Sequence, residues 1–189
     1  MRKNAEQLVD ILRQCLAESR SVEVDGLGVF RRGADGVYEF IPAPTPKIFI
    51  AYVQEDAEAA VRLYEDLARA GFDPWLDRKK LLAGQNWPRA IQQAIEVSDF
   101  FVACLSRCAV RKRGQFQAEL RYALDCALRA PLEETYLIPV RLEQCPVPAR
   151  ISREIQYLDL FPDWEAGVRR LVAAVRHSCR GKVRLPLAG

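Results

Sequence analysis

Histidine is almost missing from this chain. His177 is the single one among 189 residues, and it stands beside Ser178 near the C-terminus. Nucleophilic catalysis by a serine or cysteine needs an adjacent base, most often an imidazole. Because the lone histidine is best interpreted as a surface residue, the sequence argues against Ser/His and Cys/His enzymes.

Paired cysteines are also missing. Zinc sites and disulfide frameworks depend on characteristic cysteine spacings, and this chain has no CxxC pair. We therefore expect reduced, mostly buried thiols and no bound metal. The six cysteines lie in strand-like or helical runs: Cys15, Cys104, Cys108, Cys126, Cys145 and Cys179.

Long apolar runs are absent as well. None approaches the roughly 18 residues that a membrane span needs, and the N-terminal segment MRKNAEQLVD has no apolar signal region. The formal net charge of +3 is too small by itself to indicate a nucleic-acid-binding protein. The composition predicts a cytoplasmic protein with no membrane contact.

Residues 1–41 have the pattern of a small α+β domain. Apolar residues at helical spacing predict one amphipathic helix, with Asn4 and Gln7 as a capping pair. The stretches SVEVDGLGVFRR and VYEFIPA alternate as strands around a GADG turn, which predicts a three-stranded meander. Residues 42–46, PAPTP, are interpreted as a short stiff linker and a domain boundary.

The segment LVDILRQCLAESRSVEVDGLGVF resembles the HU-type DNA-binding fold, in which a similar helix leads into a GxGxF strand corner. The long basic arms of that family are reduced here to RRGADG. Residues 1–46 hold six Lys/Arg against seven Asp/Glu, whereas phosphate contacts need cations. Self-association or partner docking is therefore the preferred role, and a nucleoid-associated protein binding through Arg31 and Arg32 is an alternative hypothesis.

From Lys47 onward, strand-like and helix-like segments alternate, which indicates a parallel sheet with helices on both faces. Five strands within residues 47–176 fit a flavodoxin-like doubly wound domain. We expect the first strand to be KIFIAYV and the closing helix to be PDWEAGVRRLVAAVR. Residues 177–189 are interpreted as a C-terminal tail.

Several motifs in this second domain occur in a fixed order. They are FIAY followed by ED, then GFDPWLDRKKLLAGQNW, then SDFFVACLS, then an aromatic residue before EL. Together they resemble a bacterial TIR domain. The resemblance implies that Glu119 matches the catalytic glutamate of the members that cleave NAD+. It also implies that the loop after the second strand is a mobile, self-associating loop, here Leu81, Leu82, Ala83, Gly84 and Gln85.

A single carboxylate suits this chemistry. Nicotinamide in NAD+ is already a cationic leaving group that departs neutral, so its release needs no general acid. A carboxylate would stabilise the positive charge that develops on the ribose. Helical spacing places Glu119 at the margin of the buried face of its helix. On position alone, an acidic residue that merely favours the positive end of its helix is the alternative interpretation.

The resemblance implies further substrate contacts, and two departures from the family accompany them. Arginine is common at the positions of Val53 and Gln54, and the usual tryptophan four residues before the glutamate is replaced by Gln115. Phosphate contacts would then come from Arg78, Lys79 or Lys80. The tryptophans Trp75 and Trp87 either stack on substrate or simply pack. The expected NAD+ contacts are Tyr52, Val53, Gln54, Asp77, Lys79, Trp87 and Phe116.

Three functional hypotheses follow. The preferred one is an oligomeric NAD+-cleaving enzyme of bacterial antiviral immunity, yielding ADP-ribose or a cyclic isomer, with NAD+ as substrate and no permanently bound cofactor. The second is a non-catalytic TIR adaptor that assembles with other TIR domains. The third is the nucleoid-associated protein. A basic cluster precedes the helix that carries Glu119, and it consists of Arg107, Arg111, Lys112 and Arg113. It is interpreted as a solvated loop, with contact to a phosphate or a neighbouring subunit as the alternative.

Overall fold

A computed structural model describes residues 9, 11–17, 21–24, 28–33, 35–42, 45–80, 86–131 and 134–180. The chain divides into two compact units, Met1–Pro44 and Thr45–Gly189. The division falls within the predicted Pro-rich segment. Pro42, expected to begin the linker, is instead the last residue of a strand, because it stays paired with Gly28.

The N-terminal unit contains a helix and a three-stranded antiparallel sheet. Helix α1 covers residues 11–17, and the strands are β1 (Ser21–Val24), β2 (Gly28–Arg32) and β3 (Tyr38–Pro42), in the order β1-β2-β3. Gly36 has a φ of 80° in the turn between β2 and β3, a conformation that favours glycine. The predicted helix and meander are confirmed, whereas the capping pair Asn4 and Gln7 lies outside the described residues.

The second unit is built on a five-stranded parallel sheet. Its strands are β4 (Lys47–Ala51), β5 (Asp73–Trp75), β6 (Phe100–Leu105), β7 (Leu137–Arg141) and β8 (Leu158–Asp159). The spatial order is β5-β4-β6-β7-β8, with every neighbouring pair parallel. This is the doubly wound arrangement that the alternating pattern predicts.

Helices connect these strands. They are a 3₁₀ turn (Gln54–Asp56), α2 (Ala57–Arg69), α3 (Asp77–Lys80), α4 (Trp87–Glu96), α5 (Arg107–Arg111), α6 (Gln115–Arg129), α7 (Ala149–Ser152) and α8 (Trp164–Arg180). Their apolar sides cover both faces of the sheet. Ile95 of α4 and Leu120 of α6 pack on one face, and Leu63 of α2 and Leu171 of α8 pack on the other.

Two apolar cores therefore sandwich the sheet. Along β4 the side chains alternate, with Phe49 in the core under α4 and α6, and Ile48 and Ile50 in the core under α2 and α8. All six residues of β6 are buried. Strands that are covered on both faces have continuous apolar sequences, which explains the sequence FFVACL.

The ends of two elements differ from expectation. Strand β4 stops at Ala51 rather than Val53, because the amide of Asp56 donates to the carbonyl of Val53 and starts a turn. Helix α8 continues to Arg180, past the predicted boundary at residue 176, because Cys179 still packs against the core. The earlier end of β4 moves Tyr52 and Val53 into the loop at the edge of the sheet.

Gly167 provides a test of how α8 packs. A Cβ atom built there would lie 2.6 Å from the carbonyl oxygen of Asp159 and 2.6 Å from Cα of Leu160, both backbone atoms. At an open helical site, Gly→Ala is stabilising. Here we expect Gly167→Ala to lower the free energy of unfolding by about 1–3 kcal/mol because the helix must move away from β8.

Chemical denaturation followed by tryptophan fluorescence measures this effect, since all three tryptophans (Trp75, Trp87 and Trp164) lie in the second unit. Arg169→Ala on the exposed side of the same helix is the control, with an expected change within about 0.5 kcal/mol. A Gly167→Ala protein as stable as the wild type would show that α8 does not lie so close to the backbone of Asp159 and Leu160.

Candidate active site

A cavity of about 280 Å³ lies where the loops after β4, β5 and β6 converge. Strands β4 and β6 are neighbours in the sheet, and the helices that follow them, α2 and α6, pack on opposite faces. Such a switch point opens a crevice at the carboxyl ends of parallel strands. The lining residues are Ile50, Tyr52, Val53, Gln54, Asp77, Trp87, Ile91, Lys112, Arg113, Gly114, Gln115, Phe116 and Glu119.

Buried apolar side chains form much of the cavity wall. Ile50, Val53, Ile91 and Phe116 are each no more than 5% exposed. Trp87, the first residue of α4, is 49% exposed. The cavity thus offers apolar surface for a flat ring, together with a few polar groups.

Glu119 is the buried acid of this site. It lies in the second turn of α6, which begins after Gly114 at a φ of 135°. Only 9% of the residue is exposed. The helical pattern predicted a position at the margin of the buried face, whereas Glu119 is buried. The difference arises because the pattern includes only the helix itself and not the loops that cover this position.

Burial controls the ionisation of Glu119. Removal from water raises its pKa from an ordinary 4.5 to about 7, and the nearby Asp77 carboxylate adds to the increase. A hydrogen bond from the Gln115 side chain acts in the opposite direction. The residue in place of the usual tryptophan therefore contacts the candidate catalytic acid directly.

Tyr52 and Asp77 join two of the loops. The Tyr52 hydroxyl donates to Oδ1 of Asp77 at 2.6 Å, and the same oxygen accepts from the Arg78 amide at 2.6 Å. Burial, followed by the hydrogen bond to Asp77, raises the pKa of Tyr52. The phenol therefore stays protonated and holds the loop after β4 against the start of α3.

Two further contacts join the loop after β4 to the loop after β6. Ser106 Oγ donates to Oδ2 of Asp56 at 2.6 Å and accepts from the Ala109 amide at 3.0 Å, which caps α5. Lys112 Nζ donates to Oε1 of Glu55 at 2.6 Å. The bonds of Ser106 hold the start of α5, and the segment 112–114 that follows α5 lies at the cavity. The sequence favoured a solvated basic loop there, with contact to a phosphate or a neighbouring subunit as the alternative.

Most of the predicted substrate contacts meet in this cavity. They are Tyr52, Val53, Gln54, Asp77, Trp87, Phe116 and Glu119. The structure does not bring Lys79 to this group, since its Nζ lies 3.8 Å from Oε1 of Glu65 and above the ring of Tyr64. The predicted self-association loop, Leu81, Leu82, Ala83, Gly84 and Gln85, lies outside the described residues.

Trp75 packs rather than lining the cavity. Its ring stacks on Phe49 with centroids 4.8 Å apart. Of the two interpretations of this tryptophan, packing is the one the contacts support. Trp87 alone of the pair faces the cavity.

A larger groove, about 770 Å³, runs between α2 and α8. It is lined by side chains such as Asp66, Trp164 and His177. Of its two acids, Asp66 accepts from Trp164 Nε1 at 2.8 Å and from Arg69 at 2.6 Å, and the exposed Glu165 lies 3.8 Å from Arg62. The smaller cavity combines a buried carboxylate of raised pKa with converging loops. It is therefore the better candidate for chemistry.

The described residues contain neither a metal-ligand cluster nor a membrane-spanning helix. In the part of the chain that the structure describes, no group of three or more His, Cys, Asp or Glu side chains could hold a metal ion. Over the same part of the chain, no helix has the length and apolarity to cross a membrane.

The raised pKa of Glu119 predicts a pH-dependent stability. Below about pH 4.5 the carboxyl is protonated in both the folded and unfolded states. Between 4.5 and about 7 the unfolded chain loses this proton while the folded chain retains it, so folding loses free energy, and above 7 the loss is constant. The shift corresponds to about 3 kcal/mol.

Glu119→Gln removes this titration. We expect the unfolding free energy of the variant, relative to wild type, to increase by up to about 3 kcal/mol between pH 4.5 and 7.5. Denaturant titrations at several pH values measure the difference, with the exposed Glu58→Gln as control. A difference that is independent of pH would contradict the burial of an ionisable Glu119.

Most of the second unit matches a known protein family. A family model described as TIR domain matches residues 48–172, more than half of the chain. The chain belongs to the TIR domain family. The TIR resemblance of the sequence motifs is thereby confirmed. The match begins at residue 48, so the HU-type resemblance of the N-terminal segment is unsupported and stays a prediction.

Solved TIR structures share the fold. The TIR domain of the Toll-related receptor TRR-2 from Hydra magnipapillata has a TM-score of 0.56 and 23% identity, over 68% of this chain and 97% of that chain. The TIR-STING receptor from C. gigas, solved in complex with 2′,3′-cGAMP, has a TM-score of 0.56 and 19% identity, over 68% of this chain and 39% of that chain.

A prokaryotic SEFIR domain has a TM-score of 0.51 and 15% identity, over 68% of this chain and 97% of that chain. No curated protein matches the sequence significantly. At these identities the likeness shows the TIR fold alone, and the activity has to be argued from the site.

Proposed function

We propose that this TIR protein cleaves the N-glycosidic bond between nicotinamide and ribose in NAD+. The observation that carries the proposal is Glu119, a carboxylate that is 9% exposed and lines a cavity at the switch point of the sheet. A buried acid is costly to a fold and is common at functional sites. Its place in α6 matches the catalytic glutamate that the TIR resemblance implies.

The chemistry needs little more than this group. The nicotinamide ring carries the positive charge before cleavage and leaves neutral, so no acid has to protonate it. As the bond breaks, positive charge develops on the ribose, and the ionised Glu119 stabilises it without reorganising. The low-dielectric surroundings that raise the pKa of Glu119 also strengthen this attraction.

Glu119 stabilises the positive charge on the ribose only in its ionised form. Since the pKa of Glu119 is about 7, a fall of pH below that value protonates the carboxylate and removes its charge. A bound cationic nicotinamide favours the ionised form and lowers the pKa in the complex. We therefore expect both kcat and kcat/KM to fall as the pH decreases. The apparent pKa for kcat should be lower than the apparent pKa for kcat/KM.

Neighbouring side chains have supporting roles. Phe116 and Trp87 provide aromatic surface for the nicotinamide or adenine ring. Tyr52 and Asp77, held together at 2.6 Å, provide a polar wall next to Glu119 for the ribose hydroxyls. Water attack on the ribose gives ADP-ribose, and attack by the adenine gives a cyclic isomer.

Assembly and biological role rest on the family. Self-association of TIR domains is proposed as a condition for activity here, through the segment 81–85, with the N-terminal unit as an additional docking element. An immune signalling role in a bacterial host follows from the same resemblance. NAD+ would enter as a substrate and leave as products, without a resident cofactor.

Incubation of the full chain with NAD+ tests the proposal. Nicotinamide release is followed by chromatography, and the second product is identified by its mass, which distinguishes ADP-ribose from a cyclic isomer. The assay is run at dilute concentration and again under conditions in which light scattering shows assembly. No release from demonstrated assemblies would reject the enzyme and favour the non-catalytic adaptor.

A further inference from the structure

We propose that Lys112 and Arg113 bind the diphosphate of the nucleotide that occupies this cavity. The inference rests on the proposed function for the identity of the nucleotide, NAD+. The residues themselves point to a ligand that carries phosphate groups next to a ribose. Lys112 and Arg113 would then set the specificity of the site for nucleotides over phosphate-free nucleosides.

The charge of the cavity wall is the first support. Among the described residues that line the cavity, two are cationic, and they are adjacent in the chain. Two of the three cations of α3 have acidic partners elsewhere, with Lys79 at 3.8 Å from Glu65 and Lys80 at 3.3 Å from Asp73. The third, Arg78, lies near Tyr52 but is not among the residues that line the cavity. An anionic part of a ligand therefore has Lys112 and Arg113 as its cations in this wall.

The spacing along the chain is the second support. Lys112 and Arg113 directly precede Gly114, where α6 begins, and Glu119 lies five residues further on. Five residues of helix correspond to about 7.5 Å. A ribose whose anomeric carbon lies at Glu119 would extend its 5′ phosphate toward the start of the helix, where the two cations are.

The third support is the state of Lys112. Its ammonium donates to Glu55 at 2.6 Å, and both side chains are about half exposed, at 49% and 46%. The hydrogen bond from Lys112 lowers the pKa of Glu55, so Glu55 is ionised and competes with any incoming anion. Exposed ion pairs contribute little to stability, so a phosphate can replace Glu55 at small cost. Cation–phosphate hydrogen bonds are among the stronger contacts available to a ligand.

Binding and kinetics with three variants test this inference. We expect Lys112→Gln and Arg113→Gln each to raise KM for NAD+ and Kd for ADP-ribose about tenfold. Values of kcat/KM for nicotinamide riboside, which has no phosphate, should stay within about twofold. Arg111→Gln is the matched control, because this exposed cation lies on α5 and does not line the cavity.

Glu55→Gln gives a change in the opposite direction. Removal of the competing carboxylate should lower Kd for ADP-ribose by roughly two- to fivefold. Calorimetric titration with ADP-ribose measures this without any catalytic turnover. Circular dichroism and denaturant midpoints establish that these four variants and the Lys112→Gln/Arg113→Gln double variant are folded.

The outcomes separate the two proposals. Loss of ADP-ribose affinity in Lys112→Gln and Arg113→Gln, but not in Arg111→Gln, supports the inference even if the wild type releases no nicotinamide and the proposed reaction fails. Nicotinamide release with unchanged KM for NAD+ in the Lys112→Gln/Arg113→Gln double variant overturns the inference and leaves the reaction in place. A wild type that neither binds ADP-ribose nor cleaves NAD+ overturns both.

Discussion

Glu119→Ala is expected to lower kcat for nicotinamide release by about 10³-fold or more, in a protein that stays folded. A preorganised charge in a water-excluded site supplies its stabilisation only while positive charge develops on the ribose. The nearby Asp77 carboxylate does not replace Glu119, because it is held by hydrogen bonds from Tyr52 and the Arg78 amide.

Two further variants separate charge from shape. Glu119→Gln keeps the size of the side chain and removes its charge, so it should be nearly as inactive as Glu119→Ala. Glu58→Gln, on the exposed side of α2, should retain full activity. Retention of more than about a tenth of the rate by Glu119→Gln would show that the carboxylate charge is not what accelerates cleavage.

Phe49→Ala is expected to lower the free energy of unfolding of the TIR unit by about 3–5 kcal/mol. Phe49 is 1% exposed, and its ring stacks on Trp75 at 4.8 Å and on Phe101 at 5.2 Å. It therefore joins β4 to both of its neighbours, β5 and β6. The loss is large relative to the stability of an ordinary domain.

Phe40→Ala is the matched control for this variant, because Phe40 lies in the N-terminal sheet and is 45% exposed. Tryptophan fluorescence reports only the TIR unit, so Phe40→Ala should leave that denaturation curve unchanged to within about 0.5 kcal/mol. A loss of less than about 1 kcal/mol in Phe49→Ala would mean that the three-ring stack contributes little.

The order of strands and helices could be predicted because it depends on local patterns. Runs such as KIFIA and FFVACL are apolar on both faces, and a helical stripe lies between each pair of strands. The end of β4 could not be predicted in the same way. The apolar run continues to Val53, but the hydrogen bond from Asp56 to Val53 bends the chain out of the sheet.

The candidate site, like the fold, could be predicted only in part. Glu119 was found through the motif around it, but its burial depends on loops that are distant in sequence, including the one that carries Asp77. For Lys112 and Arg113 the sequence favoured a solvated loop over contact with a phosphate or a neighbouring subunit, because a cluster of charges alone does not show what it faces. Their place at the cavity depends on contacts such as Ser106 with Asp56, which are 50 residues apart. Lys79 was expected at the site and instead pairs with Glu65.

The most direct test of the proposed reaction is nicotinamide release from NAD+ by the wild type and Glu119→Gln, side by side, at concentrations at which both form the same assemblies. The proposal predicts steady release by the wild type, with the second product identified by mass, and release at background level by the variant. Equal release by both folded proteins, or none by either once assembled, would contradict a TIR enzyme that works through this carboxylate.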